Sequence, residues 1–445
     1  MEYLSDDALT NLLLISLVVL TLVSIRFQAK TTNAIKALKK KKKKKSLLKK
    51  ILKYLYTGVF YNLSKLVPRS KKIVVFGAES GLHFAGNPKY LFLEMQNRGV
   101  VRCIWITKTA DTLLKMREKG YECYFANSFK GIYFQLRAKT VILSHSIVMD
   151  LNRVCVGGAV SVNTWHGVGL KKVWFQNKSS FAYKALNEPN PLKRMIKMMM
   201  ANANFTKENY VISTSDAVSA YYPSTFNLDR KYILQLGQAR NDVFFDSKLE
   251  EGNIPKFLKE EKIITYMPTH RNYGKGKKEI NIDECLDYEK LNQFCKDNNC
   301  YFVIKKHIHL KSTPLRTNYE RVIDISNSGV DPQVLLKYTD VLITDYSSCY
   351  TDYLLLDRPV VFYVFDYDDY VSNMRDLYFE FDEVTPGPKV REFDDLIETL
   401  QQIMNGADTF GSERERVKNI FYSKDNQGPV TKKQVDYILQ NIIKV

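Results

Sequence analysis

"DVLITDYSSCYTDYLLLDRPVVFY", residues 340–363, holds an apolar run, a turn with two serines, a short helical stretch and a second apolar run. Antiparallel strands can be joined by a two-residue hairpin, whereas strands separated by a helix form a parallel crossover unit. The same rhythm recurs along the chain. Short apolar runs lie at 71–79, 101–107, 121–127, 140–146 and 159–167, and again at 262–270, 301–309, 321–326 and 358–366. Between the first of them, "NPKYLFLEMQNRG" and "TADTLLKMREKG" are helix-length, polar on one face and closed by Gly. The pattern predicts an α/β protein of two doubly wound halves, residues 71–250 and 251–445, parted in the polar stretch Ser247–Glu261. The C-terminal helix is a candidate to cross back to the first half.

At 445 residues and 45% hydrophobic, the chain can build two cores of ordinary size. Its net charge of +18 suggests a nucleic-acid binder until its distribution is read. Arg26–Lys72 carries 17 Lys and Arg and no Asp or Glu, and residues 1–25 carry three acidic groups, leaving only +4 for residues 73–445. The folded part is nearly balanced, so no nucleic-acid partner is expected. Ala8–Ile25 is an uncharged run of 18 residues, about 27 Å as a helix, close to a bilayer core. Acidic residues precede it and lysines follow, the reverse of a secretory leader. Residues 1–25 therefore read as an uncleaved single-pass anchor, with residues 26–445 on the cytoplasmic side of the cell membrane. Residues 26–70 read as a basic segment against an anionic membrane surface: Lys39–Lys45 is an unbroken lysine run, and Leu47–Leu66 is amphipathic. Seven cysteines without a C-x-x-C pair make neither a disulfide framework nor a zinc site.

Ligands of open parallel sheets collect beyond the carboxyl ends of the strands. Those ends carry Asn163, Trp165, His166 and Gly167, then Arg240 and Asn241, then Thr269, His270 and Arg271, then Lys305, Lys306, His307 and His309, and finally Ser347 and Ser348. Four of the six histidines fall there. The collection suits an anionic substrate between two halves. Ser347 and Ser348 sit at a helix start, where unpaired N–H groups favour anions, and Lys305, Lys306, Arg240 and Arg271 add positive charge. Asp352, one turn beyond Ser348, is expected to accept hydrogen bonds from a ligand hydroxyl, and Asp345 to cap the helix. His83 and His145 read as ordinary polar or core residues, His145 at a strand end within reach of the cleft. "DYDDY" (366–370) reads as a surface loop rather than a metal site, and no metal or cofactor is expected.

In "NTWHGVGLKK", "GQARND", "MPTHR", "KKHIH" and "DVLITDYSSCYTDYLLLDRPVVFYVFDYDDY…FDEVTPGP" the chain resembles the CDP-glycerol glycerophosphotransferases, the teichoic-acid primase and polymerase family, over roughly residues 72–430. It departs from their pattern at Val168-Gly169, where Thr-Pro is usual. The resemblance implies a GT-B fold, two Rossmann-like domains with a cleft between, and transfer of glycerol phosphate from CDP-glycerol to a hydroxyl of a lipid-linked saccharide or polymer acceptor, with release of CMP. It implies His166 as general base and His307 at the diphosphate. Arg240, Pro268, Thr269, Ser347, Ser348 and Asp352 would line the donor site, and Gly167 would allow close backbone approach. CDP-ribitol as donor and a GT-B glycosyltransferase using a nucleotide sugar are the alternative readings.

Overall fold

Thirteen short strands, most of them largely buried, build two wholly parallel sheets in the computed structural model, which describes residues 57–204, 208–250, 254–269, 282–306, 319–368 and 376–445. The first comprises β1 (Ser70–Gly77), β2 (Arg102–Thr107), β3 (Cys123–Phe125), β4 (Ala138–Leu143), β5 (Val160–Asn163), β6 (Asn209–Ser213) and β7 (Ile233–Gln235), in the order β3-β2-β1-β4-β5-β6-β7. The second comprises β8 (Lys262–Tyr266), β9 (Cys300–Ile304), β10 (Val322–Asp324), β11 (Val341–Thr344), β12 (Val360–Tyr363) and β13 (Lys389–Val390), in the order β10-β9-β8-β11-β12-β13. In each, strand order reverses once, between β1 and β4 and between β8 and β11. Those reversals open crevices beyond the strand ends.

The helices Gly86–Arg98 and Ala110–Glu118 fall where the sequence puts them, and the opening quotation folds as β11, the turn, the helix Cys349–Tyr353 and β12. One apolar cluster runs from the first sheet into the second, joining Trp165, Val168 and Leu170 to Tyr346, Tyr350 and Phe421. The chain crosses between the sheets twice. After the helix Phe393–Met404 it returns to the first: Ser423 N–H donates to Thr214 O at 3.0 Å, Asp242 accepts from Val430 and Thr431 N–H at 2.8 Å each, and Gln434 Nε2 reaches the Leu236 and Gly237 carbonyls at 3.1 Å.

The anchor at 1–25, the lysine run and half of the amphipathic stretch lie outside the described residues, as do His270, Arg271, His307 and His309. Among the described residues no helix is long and apolar enough to cross a membrane, and no cluster of metal-ligating side chains forms.

Candidate active site

The loop after β5 turns back on itself immediately before His166. Asn163 anchors the reversal: its Nδ2 donates to His145 O at 2.9 Å, and its Oδ1 accepts from Trp165 N–H at 2.9 Å. Trp165 adopts φ 54°, a left-handed conformation that a bulky residue holds only where its surroundings impose it. Its indole packs edge-on against Phe226, and Asn87 Nδ2 holds its carbonyl at 3.0 Å. With Trp165 fixed inward, His166 projects into the cleft, its outer edge open to solvent. His166 Nδ1–H donates to Ser144 O at 3.2 Å. A carbonyl can only accept, so the proton of the neutral ring lies on Nδ1 and Nε2 carries the free lone pair. Burial by the cleft walls, then the neighbouring His145 and, more weakly, the Arg240 charge, push the His166 pKa down to about 3. The open edge tempers that burial, but the direction stands, and the ring is neutral at pH 7.

Facing it, the loop after β8 is tied to the loop after β11. Asp345 accepts from Thr269 N–H at 3.0 Å and from Thr269 Oγ1 at 2.6 Å, and Thr344 Oγ1 donates to Met267 O at 2.8 Å. Asp345 thus clamps two loops and leaves the helix Cys349–Tyr353 without a side-chain cap, contrary to the sequence expectation. The cavity between the sheets has a volume of about 510 Å³, within the usual range of roughly 300–1,000 Å³ for small-molecule sites. His166 and Gly167 line it from the first sheet, and Pro268, Thr269, Ser347 and Ser348 from the second. Its far wall is aromatic, with Tyr221 stacked on Tyr378 at 3.8 Å.

Four expected site residues face elsewhere. Asp352 is wholly buried and does not read a hydroxyl of any ligand in this arrangement. Its Oδ2 accepts from Arg240 Nη2 and from Gln333 Nε2 at 2.9 Å, and its Oδ1 accepts from Asn241 Nδ2 at 3.0 Å and Tyr422 O–H at 2.6 Å. Arg240 gives its Nη2 to the same contact, while its Nε has no partner. Burial works against its charge, yet the facing Asp352 holds its pKa above the usual value. Gly167 is required here, since a Cβ at that position would lie 2.5 Å from Arg240 Nη2 and its φ is +124°. Lys305 Nζ donates to Val330 O at 2.9 Å, and Lys306 Nζ lies 3.6 Å from Asp324 Oδ2; neither lysine lines the cavity. The corrections share one cause: a charge at a strand end serves the domain interface or its own loop when partners stand within reach, and those partners come from distant sequence.

His145, by sequence an ordinary polar or core residue within reach of the cleft, stands beside His166. His145 follows β4, at the point where the first sheet reverses, and its ring stacks on His166 with centroids 4.2 Å apart and planes 13° from parallel. Its place at a strand-order reversal was the signal that marked it.

The sequence profile of the CDP-glycerol:poly(glycerophosphate) glycerophosphotransferases matches residues 59–440. The teichoic acid poly(glycerol phosphate) polymerase of Bacillus spizizenii is 30% identical over 366 residues, 78% of this chain and 88% of that protein. The teichoic acid glycerol-phosphate transferase of Staphylococcus aureus is 27% identical over 85% of this chain and 94% of its own length. Among solved structures, the wall teichoic acid polymerase TagF superposes with a TM-score of 0.69 at 24% identity, covering 89% of this chain and 98% of that one, which is a likeness of fold.

Proposed function

The chain belongs to the CDP-glycerol:poly(glycerophosphate) glycerophosphotransferase family, and on that basis we propose that it moves glycerol phosphate from CDP-glycerol to an acceptor hydroxyl in teichoic-acid-type polymer synthesis. The observation that carries this reading is a neutral His166, its Nε2 lone pair free, across one cavity from the hydroxyls and backbone of Thr269, Ser347 and Ser348. The acceptor hydroxyl gives its proton to His166 Nε2 as its oxygen bonds to the β-phosphorus; the bond from that phosphorus to the bridging oxygen breaks, and CMP leaves with the electron pair. Formation of imidazolium strengthens the Nδ1–H bond to the Ser144 carbonyl, which supports general-base work from this side. Ser347 and Ser348 take the diphosphate, with His307, which the family motifs assign to it, and with the added positive charge of Arg271.

The acceptor is a lipid-linked saccharide or a growing polymer, and the enzyme works at the cytoplasmic face of the cell membrane. Besides the anchor and lysine run of the first 70 residues, the helix Pro191–Ala201 supports this: Leu192, Met195, Ile196 and Met199 are about half to two-thirds exposed, beside Lys193, Arg194 and Lys197. An apolar face flanked by cations suits the headgroup layer of an anionic bilayer.

The deciding experiment offers the purified chain CDP-glycerol and CDP-ribitol in turn, with and without a membrane lipid extract. Acceptor-dependent CMP release with CDP-glycerol is expected. Release with CDP-ribitol alone would reassign the donor, and release with neither would overturn the reaction.

A further inference from the structure

Behind His166 lies a second imidazole that the reaction as written leaves idle. His145 Nδ1 is 2.8 Å from Ser144 Oγ and 3.7 Å from Asp150 Oδ1. Asp150 is wholly buried and accepts from the backbone N–H groups of Ser80 at 2.8 Å, Ser144 at 3.0 Å and His145 at 2.7 Å. Ser144 also supplies the carbonyl that fixes the His166 tautomer. One short loop therefore holds both rings: its carbonyl takes the Nδ1–H of His166, its hydroxyl meets His145, and a buried carboxylate pins its backbone. A ring stacked nearly parallel on His166, together with an indole at 4.1 Å tilted 38° to it, restricts the swing of His166 about its side-chain torsions.

We propose that His145 is a positioning residue for the transfer reaction: clamped by Ser144 and Asp150, it backs the His166 ring so that Nε2 faces the attacking hydroxyl. The inference rests on the reading of His166 as the base. Around the two rings stand Asp150 and Glu79, the latter from the loop after β1; burial raises the Glu79 pKa, and His83, Asp331, His145 and Arg240 all bear on that carboxyl. Charge on His145 opposes charge on His166, so the partner also helps to keep the base unprotonated.

The test compares His145→Ala and His145→Phe with wild type and with His166→Ala, measuring kcat, the donor KM and the pH profile of CMP release. His145→Ala is expected to lower kcat between about 10- and 100-fold, with the donor KM within about twofold, because only orientation at the reacting atom is lost. His145→Phe keeps a flat ring on the stack and is expected to restore most of kcat. In both variants the acid limb moves to higher pH, since loss of a like charge eases protonation of His166; a merely structural residue would not move it. Should His145→Ala fail to fold, the His145→Phe profile decides alone. An unmoved acid limb with wild-type kcat in the His145 variants, while His166→Ala is inactive, overturns this inference and spares the base. Turnover in His166→Ala near that of wild type overturns both.

Discussion

Ser347 and Asp352 lie five residues apart on one turn of chain, and the protein puts them to opposite uses. Asp352 faces inward, where four donors from three other parts of the chain, Arg240 and Asn241, Gln333 and Tyr422, fill both its oxygens. Ser347 and Ser348 are half-buried on the cavity wall. A polar side chain whose capacity is exhausted by the protein holds the fold, and one with capacity left over is available to a ligand. The difference separates stability from chemistry within a single motif.

The sharpest way to break that distinction is at Asp352. Asp352→Ala leaves Arg240 charged and buried without its counter-ion, and is expected to destabilise the protein by about 3–5 kcal/mol, read as a fall in urea midpoint. A variant that unfolds like wild type but loses donor affinity would return Asp352 to the substrate. His166→Ala should do the converse: unfolding unchanged, kcat lower by two orders of magnitude or more. The double change Ser347→Ala with Ser348→Ala removes hydroxyls from the cavity wall, and is expected to raise the donor KM about a hundredfold or more, at roughly 1.5–3 kcal/mol for each of two hydrogen bonds to a charged group, with little change in stability. The smallest effect is the position of the acid limb. Because the neutral ring is the active form and burial lowers its pKa, activity should persist below pH 6.5 and fall only as the pH drops through the depressed value. An acid limb at the ordinary histidine value would show that the cleft does not desolvate the ring.

Much of this was legible from periodicity. Strands buried on both faces read as unbroken apolar runs, and that is why β1, β2, β8, β9 and β11 were found close to their true limits. Two-residue β13 is too short to carry such a signal. Site residues divided differently. His166 and the serines were legible because strand ends are where parallel sheets bind ligands, and the family resemblance named them. The fate of Arg240 was not, since its partner lies 112 residues away and nothing local distinguishes a guanidinium that meets phosphate from one that meets a carboxylate. His145 stood in plain view, but only the strand order brings the end of β4 beside the end of β5.

The double crossing of the chain has a consequence for anyone who would re-engineer this enzyme. The second sheet is inserted within the first domain, because residues beyond the helix Phe393–Met404 complete the first domain's packing through Asp242, Thr214 and the Leu236 carbonyl. The second sheet can therefore be exchanged with a relative's only as a cassette with two splice points, and a chimera joined at one would leave the first sheet with a foreign tail against its core.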